Sequence, residues 1–414
     1  MTQSEACPPV PPNSDLETRW LNRTSLDQLI QLLTADGWEV IGPTIDQSAI
    51  VYDRVNSVAD LPEGWTDDQS PGRYRLQHRD DGQLFGYAVG PHSWKKYLFP
   101  ANELVASARR AGGTWEFTTP ELPERRLALL GVRACELAAI AVQDRVFLGG
   151  PYVDPLYQRR RESLLLIAVN CTQAAATCFC SSMNTGPRCR SGFDLALTEL
   201  ADGFTVEPGS ERGQSLLDRL GPLAVASPRQ TAAAEVARRQ ATEQMIRSIQ
   251  TEGLPQMLRQ SLECDHWEEV AKRCLSCSNC TMVCPTCFCS TVTEVSELTH
   301  IESPPGPLET HAGPREESTP THAQDERIDR RRQWDSCFNI DFSRVNGVPA
   351  RNTVAGRYRQ WLTHKLSTWH DQFGTSGCVG CGRCITWCPP GIDLTEEVAS
   401  LWKLKEQRSG RSQT

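Results

Sequence analysis

Cys274-Leu275-Ser276-Cys277-Ser278-Asn279-Cys280-Thr281-Met282-Val283-Cys284-Pro285 has the pattern C-x2-C-x2-C-x3-C-P. The pattern returns at Cys378, Cys381, Cys384, Cys388 and Pro389. Three thiolates two residues apart on a tight loop can wrap three irons of one cubane. The fourth cysteine, with proline turning the chain away, lies where a second cluster can take it, as in two-cluster ferredoxins. The spacing therefore predicts two [4Fe-4S] clusters. Cluster A uses Cys274, Cys277, Cys280 and Cys388; cluster B uses Cys378, Cys381, Cys384 and Cys284. Zinc sites are built from pairs of C-x2-C, not from runs of four ending in Cys-Pro.

The flanks of both motifs read as helix. Trp267 to Cys274 precedes the first. Tyr358, Trp361, Leu362, Leu366, Trp369 and Phe373 form an apolar stripe over 354–373 before the second, and Gly374 stops it. A last helix starts at Asp393, with Glu396 completing a capping box. Compact ferredoxins use little helix, so this half is similar to the helical ferredoxin modules of multi-subunit redox complexes. Residues 302–327 carry five prolines and mixed charge, with Leu308 alone as a large apolar residue. They read as a flexible linker or insertion.

The N-terminal half reads as α/β. A helix is expected over Leu26 to Ala35, capped by Ser25 and Gln28. Glu39–Ile41 and Ala49–Tyr52 look like strands. Asp80-Asp81-Gly82 reads as the turn of a hairpin. Arg126–Val132, the helix Cys135–Phe147 and Leu164–Val169 make a crossover unit, whose two strands should be parallel. Helices are expected across much of 212–272. The fold class is thus an α/β N-terminal domain followed by a helical two-cluster ferredoxin-like domain. The expected segments are a disordered arm 1–22, an α/β docking domain 23–250, the two ferredoxin halves 251–300 and 333–408, and a linker 301–332 between the halves.

The chain has 414 residues, 18 cysteines and a formal net charge of −8. Hydrophobic residues make up 39%, enough for a core. The acidic balance gives no footprint for nucleic acid. The longest aliphatic run, Leu164 to Val169, is far short of a membrane span. The polar, Pro-rich start lacks the features of a signal peptide, so a cytoplasmic location is expected. In that compartment so many thiols point to metal or redox work rather than disulfides.

Cys135 and Cys171 each follow a crossover strand, so both lie at the sheet edge where α/β proteins place ligands. At a helix N-terminus the Cys135 thiol should be acidified. Cys178 and Cys180 follow, with Cys189 nearby. A third cluster on Cys135, Cys171, Cys178 and Cys180 competes with the plain reading of cysteine as a small buried hydrophobe. Cys287, Cys289 and Cys337 either line a cluster's surroundings or are simply buried. Cys7 and Cys264 belong to no constellation. His92, with Lys95 and Lys96, reads as a solvated loop or a docking face, and Arg159-Arg160-Arg161 as solvated charge or a face for an acidic partner. No G-x-G-x-x-G follows a strand, and there is no P-loop.

Gln69-Ser70-Pro71-Gly72-Arg73-Tyr74 and Val89-Gly90-Pro91-His92-Ser93-Trp94-Lys95-Lys96 resemble the start of hydrogenase beta subunits. So do Gly131-Val132-Arg133-Ala134-Cys135-Glu136, Cys178-Phe179-Cys180 and the paired motifs. The nearest types are the beta subunit of NAD(P)-linked nickel–iron sulfhydrogenases and the related A subunit of anaerobic sulfite reductase. The resemblance runs from about residue 45 to about residue 405. It implies an iron–sulfur electron-transfer subunit, not catalytic alone. Its partners would be a flavin subunit reacting with NAD(P)H and a catalytic subunit, either hydrogenase or sulfite reductase. A metal-binding regulatory module whose cluster senses oxygen or iron is the reading from another class; it lacks a DNA-binding motif.

Overall fold

The computed structural model describes residues 17–111, 114–121, 124–296 and 327–411. Cys7, the arm up to residue 16 and the Pro-rich stretch up to residue 326 lie outside them. The chain divides into two compact units. One comprises 1–99, 124–289 and 336–414; the other comprises 100–123 and 290–335. The expected α/β and ferredoxin halves therefore share a single unit, and the second unit is drawn from pieces of both.

A seven-stranded sheet organises the larger unit. Its spatial order is Arg19–Leu21, Gly203–Pro208, Leu195–Leu200, Leu164–Val169, Leu127–Val132, Glu39–Asp46 and Ala49–Arg54. The four strands from Leu195–Leu200 to Glu39–Asp46 run parallel, and both flanks are antiparallel. Leu127–Val132 and Leu164–Val169 are apolar throughout because both faces of the sheet are covered there. The helices Ala134–Phe147 and Pro155–Glu162 make the crossover between them.

Three expectations are corrected. Arg19–Leu21 pairs with Gly203–Pro208, so the arm ends before residue 19. The first helix is Arg23–Ala35, capped by Asn22, whose side chain accepts from Ser25 N at 2.8 Å. An Asn three residues upstream outcompetes Ser25 because its carbonyl oxygen reaches the free amide directly. The hairpin is Trp65–Ser70 with Arg73–His78, turning at Pro71-Gly72 rather than at Asp80-Asp81-Gly82. Gly72 has φ +72°, which suits that turn. Asp81 instead accepts from the Arg79 guanidinium.

Helices occupy Glu211–Arg219, Pro228–Glu243, Leu254–Gln260 and His266–Ala271. The 354–373 stripe is one continuous helical rod with a wide π turn at His364–Thr368. The final helix is Leu394–Arg411, with Asp393 accepting from Thr395 N at 2.9 Å. Its apolar face, Leu394, Val398 and Leu401, joins Leu258, Trp267, Tyr358 and Trp361 in a core that surrounds the cysteine motifs. Among the described residues no helix is long and apolar enough to cross a membrane.

The smaller unit is a four-stranded antiparallel sheet. Its order is Ser290–Ser296, Arg327–Trp334, Asn102–Ala111 and Thr114–Thr118. The expected linker 301–332 thus gives way to a strand at Arg327. Arg-Ile-Asp-Arg-Arg-Arg hides the alternation that marks a strand. The charges are matched across strands instead: Arg330 pairs with Glu294, Arg332 with Glu103, and Ser107 donates to Asp329 at 2.7 Å.

Leu130 is fully buried in Leu127–Val132, an interior strand of the large sheet. Leu130→Ala should lower unfolding free energy by about 2–5 kcal/mol. A loss of unfolding free energy in urea melts below about 0.5 kcal/mol would contradict this packing.

Candidate iron–sulfur centres

The two motifs interlock. One cavity is lined by Cys274, Cys277 and Cys280 of the first motif together with Cys388 of the second. Tyr358, Trp361 and Phe338 close its apolar side. A second cavity is lined by Cys378, Cys381 and Cys384 together with Cys284 of the first motif. Cys384 borders both. The fourth cysteine of each run therefore stands with the opposite trio. Among the described residues, no three Cys, His, Asp or Glu side chains form a group able to hold a metal ion. The thiols are distributed around cavity walls.

The donor chemistry fits cubane clusters: each wall presents at least four cysteines, the number that holds a [4Fe-4S] centre, with Cys384 standing between the two. Backbone amides also point at the sulfurs. Ile392 N donates to Cys388 Sγ at 3.3 Å and Gly380 N to Cys378 Sγ at 3.5 Å. Such donors favour negative charge on sulfur. Burial pushes the Cys378 thiol up to about 12 and also raises Cys274, Cys280, Cys381, Cys384 and Cys388. Cys284 moves the other way. A hydrogen bond with Cys287 and the Lys365 ammonium outweigh its burial and hold it well below the usual thiol range.

The second motif is clamped to the sheet domain. Gly380 and Gly382 adopt φ +66° and +77°. A Cβ on Gly380 would lie 2.7 Å from the Cys180 backbone, and one on Gly382 would strike Thr177 O. Phe179 N donates to Gly380 O at 2.9 Å. The hairpin tip closes from another side: Gly72 N donates to Ile385 O at 3.1 Å, and a Cβ there would meet Cys388 O at 3.0 Å. Between Cys381 and Cys384, Arg383 donates to Gly90 O and His92 O at 2.9 Å each and to Glu136 Oε1 at 2.6 Å. Glu136 also accepts from Tyr52 OH at 2.8 Å.

Cys135, Cys171, Cys178 and Cys180 gather at the C-terminal edge of the parallel strands. Cys180 interacts electrostatically with Cys178, Cys171 and Cys381, and Cys135 with Cys180, Cys381 and Cys171. Arg133, 1% exposed, lies against Cys171 and donates to Phe85 O and Tyr87 O at 2.8 and 2.9 Å. The acidification expected for Cys135 does not occur. Burial, then the neighbouring Cys180, raises its thiol, because desolvation outweighs one helix terminus. Cys189 is a buried neighbour whose N–H donates to Asn170 Oδ1 at 2.7 Å. Cys264 lies in the helical core.

Sequence reasoning missed the residues that hold this site. The 91–96 segment is only partly solvated: His92 is exposed, but Ser93, Trp94 and Lys95 beside it are buried. Lys95 Nζ donates to Cys287 O at 3.2 Å. Its signal was Trp94 beside Lys95, an aromatic that stacks on Tyr52 at 3.8 Å. In the Arg159–Arg161 cluster, Arg161 pairs with Asp144.

Residues 315–392 match the 4Fe-4S dicluster domain family. The chain is 30% identical over 273 residues to sulfhydrogenase 2 subunit beta of Pyrococcus furiosus, covering 65% of this chain and 72% of that one. It belongs to the sulfhydrogenase beta subunit family. No solved structure matches it. As a member of that family it is an iron–sulfur electron-transfer subunit carrying 4Fe-4S clusters, and the interlocked motifs are the part of the fold that fits them.

Arg383 and Glu136 are 0% and 1% exposed, so neither charge has water to fall back on. Glu136→Gln should destabilise the protein by about 3–5 kcal/mol, since it strands a buried guanidinium. Thermal unfolding under anaerobic conditions measures it; a loss under 1 kcal/mol would mean that solvent reaches the pair.

Proposed function

We propose that this chain relays single electrons between a flavin subunit that reacts with NAD(P)H and a hydrogenase catalytic subunit. Two [4Fe-4S] clusters carry the relay, one on Cys274, Cys277, Cys280 and Cys388, the other on Cys378, Cys381, Cys384 and Cys284. The observation that carries this reading is the exchange of fourth cysteines, with Cys388 among the first trio and Cys284 among the second. A third cluster on Cys135, Cys171, Cys178 and Cys180 extends the relay. Its support is the gathering of those four thiols beside Cys381 and the two buried guanidiniums, Arg133 and Arg383, that face them.

When bound, such clusters store one electron each with little rearrangement. The chain's part is to place and insulate them. Tyr358, Trp361 and Phe338 keep water from the first site. Glycines at 380 and 382 let the second-motif loop approach the Thr177–Cys180 loop at backbone contact. Cys277 is exposed and Leu275 is 65% exposed, so the first site reaches the surface where a partner can approach. The reading makes the protein a cytoplasmic member of a multi-subunit complex. Sulfhydrogenase 2 subunit beta is by its name one subunit of such an assembly.

Cys284→Ser tests the ligand exchange. Anaerobic protein should lose the cluster of the distant second motif, seen as altered electron paramagnetic resonance and a loss of about four irons of eight or twelve. Damage confined to the first-motif cluster would refute the exchange. The wild-type iron count decides the third cluster: about twelve supports it and about eight removes it. Co-elution of the native chain with a nickel–iron subunit checks the partner.

A further inference from the structure

Lys365 sits in the π turn His364–Thr368. Such a turn inserts an extra residue into the helical ladder and re-aims the side chains beside it, and it recurs at functional sites. Here the re-aimed side chain is an ammonium that is 4% exposed. Its Nζ lies 3.3 Å from Cys284 Sγ and donates to Thr286 Oγ1 at 3.1 Å and to Gly377 O at 3.2 Å. Lys95, 3% exposed, comes to the same place from the sheet domain and donates to Cys287 O. Two ammonium groups are thus buried against one group of sulfurs.

A buried ammonium is costly unless negative charge faces it. The groups that favour the charge of Lys365 most are Cys284, Cys287 and Cys378; those that favour the charge of Lys95 are Cys287, Cys284 and Cys289, against burial and the repulsion of Lys365. Sulfur, not carboxylate, is the counter-charge for both. A [4Fe-4S] cluster with four thiolates is anionic and becomes more so when reduced. Fixed positive charge a few ångströms from a ligand sulfur therefore favours the reduced form.

We propose that Lys365, backed by Lys95, is a positioning residue that raises the reduction potential of the second-motif cluster by holding positive charge against its ligand Cys284. The step is one electron in from a neighbouring reduced iron–sulfur cluster, with no bond or proton moved. The inference rests on the ligand exchange proposed above.

The alternative role is mechanical: Lys365 only ties Gly377 and Thr286 to the helix. Redox titration of the reconstituted full chain, followed by electron paramagnetic resonance, separates the two. Lys365→Met should lower the reduced-to-oxidised ratio of the second-motif cluster at least tenfold at fixed poise, a shift of about 59 mV downward or more. Lys365→Arg should restore most of it, because the charge returns. Lys95→Met should shift the same cluster in the same direction by a smaller factor. A full iron load with an unmoved potential in Lys365→Met overturns the proposal. If Lys365→Met cannot hold the cluster, an unmoved potential in Lys95→Met overturns it instead. A wild type with fewer than about eight irons overturns the ligand assignment rather than the role of the charge.

Discussion

Arg383 and Glu136 meet where no water reaches, and much of the larger unit hangs on that contact. Arg383 belongs to the loop between Cys381 and Cys384; Glu136 follows Cys135 on the first crossover helix. One ion pair thus joins a motif of the helical half to a strand end of the sheet half. Arg383 also donates from Nε to Gly90 O and from Nη2 to His92 O, which draws in the Val89–Lys96 segment. Such a pair contributes little net stability over apolar residues of the same size. What it supplies is position, because a buried charge tolerates only one arrangement of its partners.

The same constraint explains three other buried cations. Arg133 lies against Cys171, Lys95 against Cys287 and Lys365 against Cys284. Each is almost fully buried in a chain of net charge −8. Surface electrostatics would call for no such placement, and an apolar core would exclude it. On the proposed assignment anionic sulfur centres resolve the conflict, since each of these three cations then has a counter-charge. Of the two lysines in the 91–96 segment, Lys95 is spent inside and only Lys96 is left partly exposed.

The cysteine runs and the crossover unit were legible in the sequence because both are local patterns. Spacing within twelve residues encodes a metal loop, and two apolar runs flanking a helix encode parallel strands. The apolar stripe over 354–373 was also legible, but its π turn was not, since the period still reads as helical across it. What escaped was long-range. Gly72 turns a hairpin whose tip rests on Cys388 and Pro389, a contact that spans most of the chain. Without that partner, Asp80-Asp81-Gly82 is the better local turn. The strand Arg327–Trp334 escaped for the opposite reason: its partners Glu294 and Glu103 lie far away in sequence, and only they make its arginines acceptable in a sheet.

The contacts also order the sites. The Thr177–Cys180 loop touches the second-motif loop at Gly380 and Gly382, and Cys381 is the shared neighbour of Cys135 and Cys180. On its other side, Cys384 borders the cavity of the first motif as well as its own. On the proposed assignment the second-motif cluster is therefore the middle of a line, with the first at its surface end by Cys277. An electron crossing the subunit between its ends must stop there. Charge beside the middle cluster then controls traffic in both directions, whereas charge at either end biases only exchange with one partner. Lys95 and Lys365 converge on that middle position, from opposite halves of the sequence.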